Sequence, residues 1–203
     1  MTLSDVEGVI FEDKVLSNRT AVEQAEARNH QSALLWVLEK LVEDGKGFTI
    51  DEELILGLHL RLMNSIMSDA GKYRRHPVRI MGAHVALANW IKVPGLMAQL
   101  VNELSNPSKD TVRELARTHA TFEQIHPFSD GNGRVGRLLI LVQALRVGLI
   151  PPLVVKERRY AYYKYLEIAQ TRADYSLLEL FIAQSIQACH KILTVGFSEP
   201  LSP

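Results

Sequence analysis

Residues 126–137 read HPFSDGNGRVGR, and this stretch decides how the remainder of the chain is read. The segment before it carries Val112, Leu115, Ala116, His119 and Phe122 at helical spacing, so a helix leads into it. Pro127 forbids continuation, which places His126 at the helix end with its ring beside the following loop. Phe128 is the hydrophobic anchor of that loop, and alternation with Ser129 turns Asp130 toward the cleft that holds the imidazole. Gly131, Asn132 and Gly133 allow positive backbone angles and close approach of N–H groups to an anion, and they open into a helix whose N-terminus is electropositive. Arg134 and Arg137 fall in the first turn of that helix, with Val135 and Gly136 between them. Cations are unfavourable at a helix N-terminus, so two arginines there point to an anionic ligand.

These residue types suit phosphate chemistry. His126 titrates near neutrality and can accept a proton from an attacking hydroxyl. Asp130 supplies the hard oxygen that a phosphate-bound Mg²⁺ takes from protein. Together they predict attack of a hydroxyl on a phosphorus of a nucleoside triphosphate, with transfer of a nucleotidyl or phosphoryl group. An ordinary glycine turn between core helices requires neither the histidine, the carboxylate nor the paired arginines. His119 reads as a satisfied core histidine, and its spacing from His126 differs from that of a helical zinc pair.

Outward from the loop, helical periodicity dominates. Thr20 to Val42 repeats apolar residues at Ala33, Leu34, Val37, Leu38 and Leu41, and the turn residues 43–47 end it. Thr49 is the expected cap of a helix burying Leu54, Ile55, Leu58, Leu62 and Ile66. From Lys72 to Met81 the pattern becomes extended around Pro77, which predicts a short hairpin or flap. Further helices are expected near 95–105, 109–125, 132–147, 158–172 and 176–193. The whole reads as an all-α bundle with a small β-hairpin flap.

At 203 residues the chain accommodates one domain with appendages. Its 23 basic and 23 acidic residues balance, so it lacks the overall charge of a nucleic-acid binder. The single cysteine, Cys189, fits a reducing compartment, and the first residues show no export signal, so a cytoplasmic protein is expected. The apolar run 138–155 is broken by Gln143, Arg146, Gly148, Pro151 and Pro152, which marks a buried helix and turn rather than a membrane span.

The stretch HPFSDGNGRVGR resembles the signature of the Fic domain family, H-x-F-x-[DE]-G-N-G-R-x-x-R, at every defining position. SDVEG at 4–8, EARNHQSAL at 26–34, GKYRRHPVRI at 71–80 and RRYAYYKYLE at 158–167 also look like neighbouring parts of Fic proteins. The resemblance implies a Fic catalytic domain at 19–195, an N-terminal inhibitory arm at 1–18 and a frayed tail at 196–203. It implies AMP transfer from ATP to a hydroxyl side chain of a target protein, with self-modification open. His126 would be the general base, Asp130 the Mg²⁺ ligand, Asn132 an α-phosphate contact, and Gly131 and Gly133 the anion nest. Arg134 and Arg137 would hold the outer phosphates. Val78, Arg79, Ile80 and Met81 would form the flap that covers the nucleotide and binds the target. Tyr162, Tyr163 and Gln170 would line the adenosine side. No nucleic-acid or membrane partner is implied, and a homodimer is left open.

Val6, Glu7 and Gly8 match the end of the family's inhibitory pattern [ST]-x-x-x-E-[GN], which makes Glu7 the expected brake on Arg137; Leu3 stands where Ser or Thr belongs. A carboxylate in the Arg137 fork would compete with phosphate for the same hydrogen bonds. Two other readings remain open: a transferase of phosphate, UMP or GMP on the same fold, and a nucleotide-responsive binding module without turnover. Family members that phosphorylate depart from GNGR in this loop, and this chain does not.

Overall fold

The computed structural model describes residues 2–12, 14–105 and 111–196. Among the described residues eight α-helices follow one another: α1 (Leu3–Phe11), α2 (Ala21–Asp44), α3 (Glu52–Leu62), α4 (Val93–Ser105), α5 (Thr111–Ile125), α6 (Asn132–Arg146), α7 (Arg159–Arg172) and α8 (Ser176–Gly196). Lys109 and most of the expected tail lie outside the described residues. No described helix is long and apolar enough to cross a membrane.

Local chemistry accounts for the boundaries. Thr20 accepts a hydrogen bond from the Glu23 amide while the Glu23 carboxylate accepts one from the Thr20 amide, so α2 starts on a reciprocal cap. The cap of α3 is Asp51 rather than Thr49: Asp51 Oδ1 accepts from Leu54 N at 2.8 Å, and Ile50, only 1% exposed, is drawn into the core between the two candidates. That helix ends at Leu62, so Ile66 packs from the following turn. Pro94 stands in the first turn of α4, where its missing N–H has no helical partner to lose, and the helix begins at Val93.

The expected hairpin does not form. Among the described residues 72–89 hold no strand, and their backbone is tied to α5 and the loop after it instead: Arg74 N–H donates to Pro127 O at 2.9 Å and Ala88 N–H to Gln124 O at 3.2 Å. The extended segment thus has its partners elsewhere and no second strand to pair with.

Two cores share α5 and α6. One joins α2, α3 and α4 to Phe122, Ile125, Phe128, Leu138 and Leu139; the other joins α7 and α8 to Leu115, Ala116, Ala120, Ile140 and Ala144. The middle of α6, Leu138 to Val142, is apolar on every side because it faces both. Gly136 permits the close approach of α6 to α5, since a Cβ there would lie 2.5 Å from Glu123 Oε1 and 3.1 Å from Phe122 Cδ1. The loop 126–131 spans the end of this central pair, so its position is set by both cores.

Candidate active site

Helix α5 ends at Ile125, and His126 adopts φ 50°, in the left-handed region. Pro127 expels the residue before it from right-handed helix, as expected, but into a left-handed helix stop rather than an extended conformation. An L residue there costs about 1–2 kcal/mol unless its neighbours fix it. Here they do. His126 N–H donates to Phe122 O at 2.9 Å, and the His126 carbonyl accepts from Arg74 Nε at 2.7 Å.

The His126 ring is oriented by its own helix. Nδ1 lies 3.2 Å from the Glu123 carbonyl, which can only accept, so Nδ1 carries the proton and Nε2 keeps its lone pair. Burial holds the imidazole pKa below its ordinary value; the Glu123 carbonyl and Asp130 oppose this, and the Arg74 cation adds to it. The result is a neutral ring with a free basic nitrogen.

The loop that follows is fixed from behind. Phe128 is fully buried and stacks on the His59 ring, with centroids 3.8 Å apart and planes at 6°. Gly71 N–H donates to His59 Nδ1 at 2.9 Å, so Nε2 bears the proton and donates to the Asp130 carbonyl at 3.1 Å. Burial lowers the His59 pKa to about 4, which keeps this neutral bridging form. Ser129 Oγ donates to Asp69 Oδ2 at 2.6 Å. Asn132 closes the loop: its Oδ1 accepts from Phe128 N and its Nδ2 donates to Phe128 O, both at 2.9 Å. The Asn132 amide, expected at the α-phosphate, is therefore committed to the loop backbone and only 2% exposed.

Gly131 caps α6 at φ 79°, and a Cβ there would meet Met63 Sδ at 2.9 Å. Beyond it the side chains part. Asp130 is directed to the rim: its carboxylate is 69% exposed, accepts from Gly131 N at 2.6 Å, and lies 3.8 Å from Arg134. Arg134 donates to Glu26 of α2 at 2.9 Å. Arg137 points the other way, toward Glu123 and Tyr162, where its charge lowers the pKa of both against the stronger upward push of burial. The two cations also act together on His30 of α2, whose pKa burial lowers first.

A cavity of about 690 Å³ is lined by His126, Gly133, Arg137, Tyr162, Tyr163 and Gln170, with Ile80 and Met81 from the extended segment. It brings together the expected base, one expected arginine, the helix N-terminus and the expected aromatic wall. Asp130 and Arg134 are not in that wall. Val78 and Arg79 line a neighbouring cavity of about 670 Å³, which Ile80 shares. The Tyr162 hydroxyl lies 2.5 Å from His119 Nε2 inside the second core, and Gln170 Nε2 donates to Ala120 O, so both wall residues are anchored to α5. His119 is wholly buried, and burial lowers its pKa to about 3. Glu7 lies exposed on α1; among the described residues it forms no ion pair with Arg137.

The sequence reading did not single out His59, Asp69, Arg74, Glu26 or Glu123. His59 carried a signal, being a polar residue on the buried face of α3 beside Ile55, Leu58 and Leu62. Glu123 carried one too, three residues before His126 on the same helix face. Nothing local distinguishes Arg74 from Arg75, or marks Glu26 and Asp69.

The Fic/DOC family model matches residues 49–144. The protein adenylyltransferase Fic of Aedes aegypti is 29% identical over 177 residues, covering 83% of this chain and 34% of the relative. The chain thus spans about a third of that curated relative's length. Among solved structures, Fic-1 of C. elegans superposes with a TM-score of 0.84 at 23% identity, covering 97% of this chain and 59% of that one. A Fic family protein from Desulfovibrio desulfuricans G20 gives 0.77 at 26% identity, covering 99% and 62%. The first of these structures shows a shared fold.

Proposed function

We propose that this protein, whose residues 49–144 match the Fic/DOC family model, transfers AMP from ATP to a hydroxyl side chain of a target protein. The observation that carries the proposal is the His126 ring, whose protonated Nδ1 is held by the Glu123 carbonyl while the ring lines the same cavity as Arg137 and Gly133. Nε2 takes the proton of the target hydroxyl as its oxygen attacks the α-phosphorus, and the bond to the departing pyrophosphate breaks. Backbone N–H groups at the start of α6 and the Arg137 guanidinium face the charge that develops on phosphate. Arg134 joins them by exchanging Glu26 for a phosphate oxygen.

Asp130 fits a Mg²⁺ ion. It offers one exposed carboxylate, and no described cluster of three His, Cys, Asp or Glu could cage a metal, so the ion would complete its shell from phosphate and water. When bound, Mg²⁺ supplies positive charge to the phosphate oxygens.

The target docks on residues 78–81. Among the described residues the Ile80 carbonyl accepts from Ala83 N, and no other main-chain hydrogen bond involves this stretch, so its backbone can receive an extended peptide. Glu7 acts as the brake by competing with phosphate for Arg137. Among the described residues Arg137 has no carboxylate ion pair, so its guanidinium is open to a competing carboxylate as well as to phosphate.

The test incubates the full chain with ATP labelled at the α- or γ-phosphorus, Mg²⁺ and a cell lysate. Protein is expected to retain the α-label alone, more so in Glu7→Gly and not in His126→Ala. Retention of the γ-label rejects AMP transfer, and equal labelling of Glu7→Gly and parent rejects the brake.

A further inference from the structure

We propose that Arg74 is a positioning residue that locks the general base to the target-docking segment, so that His126 and residues 77–87 are held as one unit. The proposal rests on reading His126 as the base and residues 78–81 as the docking strip.

Arg74 is a cation only 2% exposed that makes no ion pair with a carboxylate among the described residues. Its guanidinium is held by four carbonyl oxygens instead. Nε donates to His126 O at 2.7 Å, and Nη2 donates to Ile125 O at 3.3 Å and to Ala88 O at 2.6 Å. Nη1 donates to His76 O at 2.9 Å. Its main-chain N–H takes Pro127 O at 2.9 Å.

The acceptors divide into two sets with different meaning. Ile125, His126 and Pro127 are successive, and they carry the chain through the left-handed turn that aims the imidazole. The first two end α5, where the helix dipole is negative and a guanidinium is at its most favourable. His76 and Ala88 bracket residues 77–87, which hold the docking strip. One planar fork therefore staples both ends of the strip to the backbone of the base. Lysine, with a compact ammonium, cannot span those directions.

Arg74 also sets the electrostatics of the ring. The charged and titratable groups that act on His126 are Glu123 on its own helix, Asp130 from the loop and Arg74 from the docking segment, with Arg137 of α6 and Tyr162 and Tyr163 of α7 across the same cavity. Arg74, the cation bonded to the His126 carbonyl, favours the neutral imidazole, the form a base requires.

Two variants separate the roles. Arg74→Gln removes the charge, and Arg74→Lys keeps the charge while removing the fork. With helical circular dichroism as the check on folding, the imidazole of His126 is titrated by NMR in the full chain without nucleotide. Arg74→Gln is expected to raise the His126 pKa and to move the acidic limb of the kcat/KM profile to higher pH. Arg74→Lys is expected to leave that pKa in place, to speed amide exchange at Ala83 and Ala88, the amides of this segment that are hydrogen-bonded among the described residues, but not in α3, and to lower kcat by about 10- to 100-fold through loss of aim. An unmoved His126 pKa in folded Arg74→Gln overturns the electrostatic part, and unchanged exchange at Ala83 and Ala88 in Arg74→Lys overturns the staple. Both readouts stand without turnover: if the parent transfers no AMP, the function fails while Arg74 is still decided.

Discussion

Glu123 shows how much a single side chain in this site is asked to tolerate. It is 5% exposed, its Oε1 has no hydrogen-bond partner among the described residues, and burial raises its pKa from 4.5 to about 7 despite the neighbouring Arg137 charge. A raised carboxyl pKa means that the folded chain binds more protons than the unfolded one between those values, so this residue's contribution to stability falls as pH rises through that window. By pH 8 the loss is on the order of 3 kcal/mol, taking about 1.4 kcal/mol per unit. Glu123→Gln keeps the shape and removes the ionisation. Its stability in urea is expected to match the parent near pH 4.5 and to exceed it by that amount at pH 8; a difference that stays constant with pH would refute the assignment. His59 and His119 act in the opposite sense, since their lowered pKa values cost stability as pH falls below 6.5, but they cancel in the parent-to-variant comparison. At this scale the sequence disclosed the chemistry and hid its supports. His126 and the glycines are marked by Pro127 and by a run that only an anion explains. Arg74 and Asp69 act on the loop from 52 and 60 residues away in sequence, and no local pattern encodes such contacts.

Helices were legible wherever apolar spacing and a cap agreed, as at α2 with its Thr20 and Glu23, because both signals act within one turn. The 72–89 segment was not, since its β-favouring residues describe an extended backbone but not what it bonds to. Helix α1 sits between these cases. It is short, so it depends on docking: Val9 is fully buried, Thr2 and Asp5 cap it reciprocally, and Asp5 accepts from Arg19 Nη2 at 2.7 Å and Nε at 3.2 Å. Arg19 lies just before α2, so that fork is the hinge by which α1 is held. Arg19→Ala is expected to speed amide exchange throughout α1 while leaving α5 and α6 protected. The sign of its effect on AMP transfer then tests the brake. Should α1 act by delivering Glu7, the variant transfers faster and adding Glu7→Gly gains nothing more; full additivity of the two would place Glu7's action elsewhere.

The cavity is a property of the whole molecule, because its walls belong to different cores. His126 and the loop rest on Phe128 and the first core, whereas Tyr162 belongs to the second, packed against Phe181 with ring centroids 5.8 Å apart. Helices α5 and α6 are common to both, and α5 to α6 is the most extensive helix contact, so neither core can open without disturbing the other. Phe181, 1% exposed, does not itself line the cavity and so probes that coupling. Phe181→Ala is expected to cost about 3–5 kcal/mol by cavity formation, which lowers Tm by on the order of 10 °C for a chain of this size. Calorimetry is expected to show one transition at the lower temperature with its cooperativity intact, since the shared helices unfold once. On the proposed assignment, in which the aromatic wall binds ATP and the His126 turn aims the base, loosening of Tyr162 should also raise the KM for ATP more than it lowers kcat. Two separated transitions, with the first core melting where the parent melts, would show that α5 and α6 do not couple the walls and that the site is assembled by the first core alone.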